Sequence, residues 1–288
     1  MNMIVNNNYE EVEGVKIFYR EAGEFSKKAI VLMHGFPTSS HMFRELLSAL
    51  GETHYVIAPD YPGFGHSDFP GIDDYTYTFE NIASTMYKFL EQKGIEEFIF
   101  GFQDYGAPIS FRIAVEHPEK VKGLIAMNGN AYKEGLGDAW QILYEYWKEK
   151  SPDVEKTITE NVFTYEGLKW AYTHGTSNPD SILPDNWELD FYKFSREGQH
   201  RMQLDLFYDY QNNVQAYPKW QQFMKDHQPP TLIIWGKNDA YFPESAAEAF
   251  KKDLTNIKGY YILDTGHFPT EEYPKFIIEK IKDYIAGL

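Results

Sequence analysis

The sequence predicts an α/β protein whose mostly parallel central sheet is flanked by helices. Short apolar runs alternate with longer amphipathic segments through residues 1–130, and the alternation returns after residue 230. Strands and helices that alternate in this way indicate parallel strands joined by helical crossovers. Residues 131–220 lack a convincing parallel strand and contain several helix breakers, which indicates a helical insertion between the two regions.

The predicted strands are short apolar runs, several of them apolar on both faces, as in buried parallel strands. They cover residues 15–19, 29–33, 55–58, 98–102, 123–127, 231–235 and 259–263. The predicted helices carry apolar residues at a spacing that forms one face. They cover residues 41–50, 79–93, 107–116, 244–252 and 271–285.

These elements predict how the chain divides into domains. We expect residues 1–130 and 221–288 to form one α/β core, into which residues 131–220 are inserted as a helical cap. Five of the six tryptophans lie in the insertion, so we expect an aromatic cap over a ligand. The alternative is a second domain that packs through aromatic residues and binds no ligand.

The composition excludes several functional classes. With 27 Lys+Arg against 43 Asp+Glu, the net charge of −16 repels phosphate backbones and anionic lipid surfaces. The absence of cysteine excludes disulfides, thiolate metal sites and a cysteine nucleophile. No apolar run approaches the roughly 20 residues that span a bilayer, and the Asn-rich start has no secretory apolar segment. We therefore expect a cytoplasmic protein that binds neither nucleic acid nor a membrane.

The loop after the strand at residues 29–33 has the sequence His34-Gly35-Phe36-Pro37. Ligands of an open parallel sheet bind beyond the carboxyl ends of its strands. The glycine permits a tight turn there, and the backbone N–H of Phe36 is a candidate oxyanion donor. By itself, His-Gly is equally compatible with a turn that holds a structural histidine.

Asp104 stands at the apex of a predicted strand–turn–helix. A nucleophile in such a turn usually belongs to a G-x-S-x-G motif, whose small residues permit the sharp bend. Gly106 and Ala107 supply small residues on the helical side, whereas Phe102 is unusually large on the strand side. The alternative function for Asp104 is to cap the N-terminus of the helix.

An aspartate at this apex indicates a particular chemistry. A carboxylate is ionised at neutral pH without a base, and it suits displacement at a saturated carbon that bears a halide or an epoxide oxygen. The product is a covalent ester, whose hydrolysis needs a general base and oxyanion donors. The backbone N–H of Tyr105, beside Asp104, is the second candidate donor.

A base and an orienting carboxylate follow the last two predicted strands. His267 comes after the strand at residues 259–263, and Asp239 after the strand at residues 231–235. The chain order Asp104, Asp239, His267 matches the order nucleophile, acid, histidine of the α/β-hydrolase fold. Asp264 and Asp60 are the alternatives for the acid.

With these residues the sequence resembles the α/β hydrolases that use an aspartate nucleophile, which are the epoxide hydrolases and the haloalkane dehalogenases. The motifs are His34-Gly35-Phe36-Pro37, residues 58–68, the Asp104 turn, residues 236–239 and Gly266-His267. The resemblance covers nearly the whole chain. It implies the α/β-hydrolase fold, with the insertion in the position of the helical cap of this family.

The resemblance also bears on the reaction. Dehalogenases usually hold the halide with a Trp directly after the nucleophile and a second Trp or Asn, but Tyr105 and Phe36 occupy those positions. Fluoroacetate dehalogenases place arginines beside the nucleophile, and this chain has Tyr105 and Pro108 there, which disfavours an acid substrate.

Epoxide hydrolases share His-Gly-Phe-Pro and use two cap tyrosines that donate hydrogen bonds to the epoxide oxygen. The matching stretches contain the pairs Tyr144/Tyr146 and Tyr208/Tyr210. Residues two apart on a helix point to nearly opposite sides, so only one of each pair faces the cavity. We select Tyr146 and Tyr210.

The leading hypothesis is therefore an epoxide hydrolase that forms diols, acting on a small apolar electrophile and water without a cofactor or metal ion. The second is a haloalkane dehalogenase, with Trp147 or Tyr210 as halide donor. The third is a non-catalytic ligand receptor on a hydrolase fold, since a fold does not fix a function. The sequence leaves the substrate and the oligomeric state open.

Overall fold

The computed structural model describes residues 3–288 and contains an eight-stranded sheet with the strand order β1-β2-β4-β3-β5-β6-β7-β8. The strands are β1 (Asn6–Val12), β2 (Val15–Ala22), β3 (Ala29–Met33), β4 (Tyr55–Pro59), β5 (Phe98–Gln103), β6 (Val121–Met127), β7 (Thr231–Gly236) and β8 (Ile257–Leu263). The β1–β2 and β2–β4 pairs are antiparallel, and the other pairs are parallel. This arrangement confirms the predicted fold class.

Helices connect the parallel strands, and those outside the connection from β6 to β7 include the ones that lie against the sheet. They are α1 (Arg44–Leu50), α2 (Phe79–Gln92), α3 (Gly106–Glu116), α4 (Gln141–Lys148), α5 (Pro152–Asn161), α6 (Tyr165–Thr173), α7 (Asp185–Phe194), α8 (Gln199–His227), α9 (Glu244–Ala249), α10 (Pro269–Glu272) and α11 (Pro274–Ala286). None of the helices within residues 3–288 is both long enough and apolar enough to cross a membrane.

The strand that the apolar pattern does not predict is β1. Its sequence, Asn-Asn-Asn-Tyr-Glu-Glu-Val, is mostly polar, and most of its residues are exposed or half-buried. The strand lies at the edge of the sheet and pairs only with β2, for instance Tyr9 with Phe18. Because little of β1 enters the core, its residues show no apolar run.

Three predicted helices differ from those observed. The segment 244–252 is α-helical only to Ala249 and continues as a 3₁₀ turn at Phe250–Lys252. The segment 41–50 begins as a 3₁₀ turn at Ser40–Phe43, which the Ser39 side chain caps by accepting from the N–H of His41, and continues as α1. The segment 271–285 is divided at Pro274 into α10 and α11, because a proline has no N–H for the preceding turn.

The register of the parallel strands places their carboxyl ends along one edge of the sheet. Met33 pairs with Phe102, Gln103 with Met127, and Gly236 with Leu263. Strands β3, β4 and β5 are buried along their whole length. The loops that leave these ends therefore start from a rigid, fully packed sheet.

Helices α4 to α8 lie between β6 and β7 in the chain, and we call residues 131–227 the helical segment. It occupies the region predicted as the insertion, and its last helix, α8, continues past residue 220 to His227. Pro218 lies inside α8 without ending it. The segment contains many buried aromatic residues, among them Trp140, Trp187 and Trp220.

Candidate active site

Asp104 lies in a sharp turn between β5 and α3. Its φ of +47° is in the left-handed region, which is uncommon for a residue with a side chain and is often found at functional sites. A Cβ at Gly106 would lie 2.0 Å from the carbonyl oxygen of Met33, so only glycine lets α3 start this close to β3. The large Phe102 fits because its neighbour Gly129 has no side chain, and a Cβ there would lie 3.1 Å from the Phe102 ring.

The Asp104 carboxylate is buried and held by backbone amides. Its Oδ1 accepts a hydrogen bond of 2.7 Å from the N–H of Phe36. Burial raises the pKa of Asp104 to about 6, against the opposing effects of His267 and of the N–H groups of Phe36 and Tyr105. Gly35 is required beside this contact, because a Cβ there would lie 2.4 Å from the Cβ of Asp104.

His267 connects Asp104 to Asp239. Its Nδ1 lies 2.7 Å from Oδ2 of Asp239, and its Nε2 lies 3.8 Å from Oδ2 of Asp104. Burial disfavours the charged imidazole, but the Asp239 carboxylate outweighs this and raises the pKa of His267. The three side chains predicted from separate loops thus meet at one edge of the sheet, as a chain of carboxylate, imidazole and carboxylate.

The alternative acids, Asp264 and Asp60, have other partners. Asp264 is largely exposed and forms an ion pair of 3.0 Å with Lys237. Asp60 is buried, and its carboxylate accepts hydrogen bonds from the backbone N–H groups of Ser40 and His66. Only Asp239 of the three contacts His267.

Two residues that the sequence analysis did not select complete this arrangement. The amide nitrogen of Gln103 lies 2.8 Å from Nε2 of His267, and that of Asn128 donates a hydrogen bond of 2.8 Å to Oδ2 of Asp239. A donor at Nε2 corresponds to a neutral imidazole whose proton is on Nδ1 and faces Asp239. Asn128 follows β6 just as Asp104 follows β5, so its position at a strand end was the available signal.

Asp104 and His267 open into a cavity of about 50 Å³ between the sheet edge and the helical segment. Only 6% of Asp104 and 4% of His267 is exposed. The cavity walls are mainly aromatic or aliphatic. They consist of Phe36, Tyr105, Ala139, Trp140, Ile142, Leu143, Val162, Ala171, Phe207, Tyr210 and Tyr241.

Tyr105 and Tyr210 bring buried hydroxyl groups to these walls. The Tyr105 hydroxyl has no hydrogen-bond partner among residues 3–288, and the Tyr210 hydroxyl interacts with that of Tyr217 outside normal hydrogen-bond geometry. The ring centroids of Tyr105 and Tyr210 are 6.2 Å apart. Burial raises the pKa of both phenols well above the ordinary value, so both carry their proton at neutral pH. Buried hydroxyls without a partner are uncommon and indicate donors available to a ligand.

Tyr146 does not face the cavity, and its prediction as a leaving-group donor is wrong. Its hydroxyl donates a hydrogen bond of 2.6 Å to Glu155 and accepts one of 3.3 Å from Arg201. Helix α4 instead turns Leu143 towards the cavity. Tyr144 and Tyr208, the other members of the two pairs, do not line the cavity either.

Trp147 is also unavailable as a halide donor. Its indole N–H donates a hydrogen bond of 2.8 Å to the carbonyl oxygen of Phe207, and its ring lies behind Tyr210, with the centroids 6.5 Å apart. The indole N–H of Trp140, whose ring does line the cavity, donates to the carbonyl oxygen of Tyr241 at 2.9 Å. Across residues 3–288, no group of three His, Asp or Glu side chains is arranged to hold a metal ion.

Comparisons with known proteins agree with this architecture. Residues 28–274 match the family model described as alpha/beta hydrolase fold. An uncharacterized hydrolase of Saccharomyces cerevisiae is 40% identical over 95% of this chain and 94% of its own length. Human epoxide hydrolase 4 is 27% identical over 94% of this chain and 76% of its own. Haloalkane dehalogenase 2 of Mycobacterium bovis is 27% identical over 88% of this chain and 86% of its own length.

Solved structures of two kinds of enzyme share the fold. The epoxide hydrolase CorEH superposes with a TM-score of 0.78 at 20% identity, covering 99% of both chains. Haloalkane dehalogenase DbeA of Bradyrhizobium elkani superposes with a TM-score of 0.81 at 23% identity, covering 99% of this chain and 98% of that one. At 20% and 23% sequence identity, these similarities show a shared fold and nothing about the reaction.

Proposed function

This chain belongs to the alpha/beta hydrolase family and is a hydrolase, and we propose that it opens small apolar epoxides to diols through a covalent ester on Asp104. The helical segment would serve as the cap that closes over the substrate. The observation that carries the proposal is that two tyrosines with protonated, buried hydroxyls, Tyr105 and Tyr210, line the cavity that Asp104 faces, and neither forms a hydrogen bond of normal geometry within residues 3–288.

In the first step, Oδ2 of Asp104 attacks an epoxide carbon while the bond from that carbon to the ring oxygen breaks. Oδ1 is occupied by the N–H of Phe36, so Oδ2 is the oxygen free to attack. The ring oxygen gains negative charge and takes a hydrogen bond and then a proton from the phenols of Tyr210 and Tyr105. A preorganised donor of this kind lowers the barrier because it stabilises charge that develops only in the transition state.

In the second step, water attacks the carbonyl carbon of the ester. Nε2 of His267 takes a proton from this water once it releases its contact with the Gln103 amide, and the imidazolium is stabilised by Asp239 at Nδ1. The negative charge moves onto Oδ1, which the N–H of Phe36 already holds. When the tetrahedral intermediate collapses, the bond between Cγ and Oδ2 breaks, Oδ2 leaves as the second oxygen of the diol, and the imidazolium gives its proton to it. Asp104 is left as a carboxylic acid, and its proton restores the phenol that was deprotonated in the first step.

Halide release is supported less well by the donors around the cavity. A halide is held by N–H groups that point at it, and the indole N–H groups of Trp140 and Trp147 both donate to backbone carbonyls. A phenol is the better match for an alkoxide, since the alkoxide needs a proton and a halide does not. An epoxide hydrolase and a haloalkane dehalogenase are equally similar to this chain, each at 27% identity. The preference for an epoxide substrate therefore rests on the hydrogen-bond donors around the cavity.

A substrate panel tests the proposal. Styrene oxide and 1,2-epoxyhexane would be compared with 1-bromohexane and 1-chlorohexane, with diol and halide measured in parallel. We expect diol from the epoxides and little halide. Halide release faster than diol formation would overturn the assignment in favour of a dehalogenase.

The covalent step is tested by oxygen labelling. A single turnover in H₂¹⁸O with enzyme in excess should give unlabelled diol and leave the label in the peptide that contains Asp104. In His267→Gln the ester should form and persist, since displacement needs no base but ester hydrolysis does. Label in the first-turnover diol, with no adduct on His267→Gln, would mean direct attack by water.

A further inference from the structure

Asp104 and His267 are almost fully buried, so a substrate must pass between the residues of the cavity wall to reach them. Two grooves of the helical segment approach it from outside. The acidic groove, of about 430 Å³, is lined by Ala139, Glu160, Val162, Glu166, Trp170 and Tyr241 among others. The basic groove, of about 670 Å³, is lined by residues that include Phe163, Phe194, Arg196, His200 and Arg201.

The acidic groove shares part of its wall with the cavity. Ala139, Val162 and Tyr241 line both spaces, and each of the three is half-buried. A residue that lines a buried cavity and an outer groove at once stands between them. The separation between groove and cavity is therefore a single layer of side chains at this point.

The basic groove has no such connection. None of its lining residues also lines the cavity. Phe163 and Phe194 pack on Phe36 and Phe207, which belong to the cavity wall, with ring centroids 5.1 to 6.2 Å apart. Two layers of interlocked phenyl rings thus separate this groove from Asp104.

We propose that the acidic groove is the entrance to the active site, that the side chain of Tyr241 is its gate, and that the groove admits neutral and cationic substrates in preference to anions. The choice of epoxides as probes rests on the proposed function, whereas the route itself rests on the shared wall.

Tyr241 is suited to this role because its main chain is fixed, while its side chain makes aromatic contacts and no hydrogen bond with residues 3–288. Its N–H donates to Oδ1 of Asp239 at 2.8 Å, and its carbonyl accepts from Trp140 at 2.9 Å. The ring packs edge-to-face on His267, with centroids 4.9 Å apart, and on Trp170, with centroids 5.9 Å apart. Rotation of the ring opens the layer without breaking either backbone contact.

The charge of the groove determines what it admits. Its lining includes the carboxylates of Glu160 and Glu166 and no lysine, arginine or histidine. Lys156 lies 3.8 Å from Glu160, but both side chains are more than 60% exposed, so this pair is weak. Trp170, 42% exposed, adds an aromatic face of the kind that attracts cations. The groove thus repels an approaching anion and attracts a cation.

The route is tested by blocking each groove. Association of the unreactive ligand 2-phenylacetamide would be followed by stopped-flow measurement of the change in tryptophan fluorescence, to which Trp140 in the cavity wall contributes. We expect Ala139→Phe to slow association about tenfold and Tyr241→Ala to accelerate it about threefold, since side-chain opening limits access. The matched control is Ser195→Trp in the basic groove, which should leave the association rate unchanged. Asn161→Trp, at the exposed rim of the acidic groove, serves if Ala139→Phe does not fold.

The charge preference is tested with three epoxides: styrene oxide, its 4-carboxylate and its 4-(trimethylammoniomethyl) derivative. The double variant Glu160→Gln/Glu166→Gln should raise kcat/KM for the carboxylate, and lower it for the ammonium compound, by about threefold or more at low salt. The neutral compound should be unaffected, and added salt should shrink both effects. Glu197→Gln, which neutralises an exposed acid next to the basic groove, is the control for position and should change none of the three.

The outcomes separate the route from the reaction. If Ala139→Phe slows the amide but no epoxide is hydrolysed, the entrance stands and the proposed function fails. If epoxides are hydrolysed while Ser195→Trp, and not Ala139→Phe or Asn161→Trp, slows the amide, the route is overturned. If the carboxylate epoxide responds no more to the double variant than to Glu197→Gln, the charge preference is overturned.

Discussion

The two regions that enclose the cavity contribute different kinds of groups. The sheet edge supplies Asp104, Asp239 and His267, each buried and each held by a hydrogen bond from or to another group. The helical segment supplies aromatic and aliphatic side chains and, among them, the hydroxyl of Tyr210, which interacts with Tyr217 without forming a hydrogen bond of normal geometry in the described residues. Charge is thus confined to the side whose backbone is fixed by strands.

This difference has a physical basis. A buried carboxylate is tolerated only where several donors face it, and strand ends with tight turns bring backbone N–H groups to fixed positions. Beyond its first turn a helix uses its backbone N–H groups internally, so the body of a helix offers a cavity only its side chains. We therefore expect substitutions at the sheet edge to affect the chemistry itself, and substitutions on the helical segment to affect the leaving group and the choice of substrate.

The largest expected effect is on the sheet edge. Asp104→Ala should reduce diol formation by more than about 10⁴-fold, because it removes the group that forms the covalent ester. Circular dichroism and the unfolding midpoint should show an intact fold, since this side chain faces the cavity. A variant that kept a tenth of the activity would mean that Asp104 only caps α3.

A smaller effect is expected on the helical segment, where two tyrosines make a matched pair. Tyr210→Phe should slow epoxide opening about 10²–10³-fold, the usual result of losing one donor to a developing oxyanion. Tyr146→Phe should change the rate less than about threefold, because its hydroxyl serves Glu155 and Arg201. Both rates are measured by single-turnover diol formation. Equal rates for the two variants would contradict the assignment of Tyr210, and not Tyr146, as the donor to the epoxide oxygen.

The loss of activity at low pH depends on Asp104, at the sheet edge. Burial raises the pKa of Asp104 to about 6, and only the ionised carboxylate attacks carbon. On the acid side, kcat/KM for an epoxide should therefore fall about tenfold for each pH unit below 6, since this ratio reports the free enzyme. A limb near pH 4 would show that the carboxylate is as easily ionised as one in water.

The smallest effect concerns stability. The raised pKa means that the folded state carries a penalty for the ionised Asp104, full above pH 6 and absent below the unfolded value of 3.8. Asp104→Asn should therefore raise the free energy of unfolding by roughly 2–3 kcal/mol at pH 7, and by much less at pH 4. Urea unfolding at both pH values measures this. Asp264→Asn, which changes an exposed acid, is the control; a loss of stability at pH 7 in Asp104→Asn would contradict the prediction.

How far the sequence predicts this site depends on the region. At the sheet edge, the apolar runs define where β5, β7 and β8 end, and the polar residues just beyond them must lie close together. Asp104, Asp239 and His267 were selected on that basis. Asn128 was overlooked at the end of β6, although the same rule applies to it.

On the helical segment, the sequence gives too little information. Choosing Tyr146 over its neighbours required the rotation of α4 about its axis, and many apolar and aromatic residues on all sides leave that rotation undetermined. In the structure, Tyr146 contacts a polar cluster of Glu155 and Arg201. These two residues come from α5 and α8, so the sequence around residue 146 does not predict the contact. Tyr105 is a different case. Its position directly after Asp104 predicts a role for its backbone N–H, but it does not predict that its side chain also lines the cavity.

The cavity is assembled from parts of the chain that are far apart, which has a consequence for how the protein folds. Phe36 and His267 are 231 residues apart in the sequence, yet both contact Asp104. Contacts of such long range form late, because the entropy of closing so long a loop must be overcome before they contribute any stability. Recovery of activity after denaturation should therefore follow the slowest refolding phase and lag behind the return of helical structure. Enzyme activity is then a reporter of the last folding event, and fragments that already contain Asp104 remain inactive until β8 has joined the sheet.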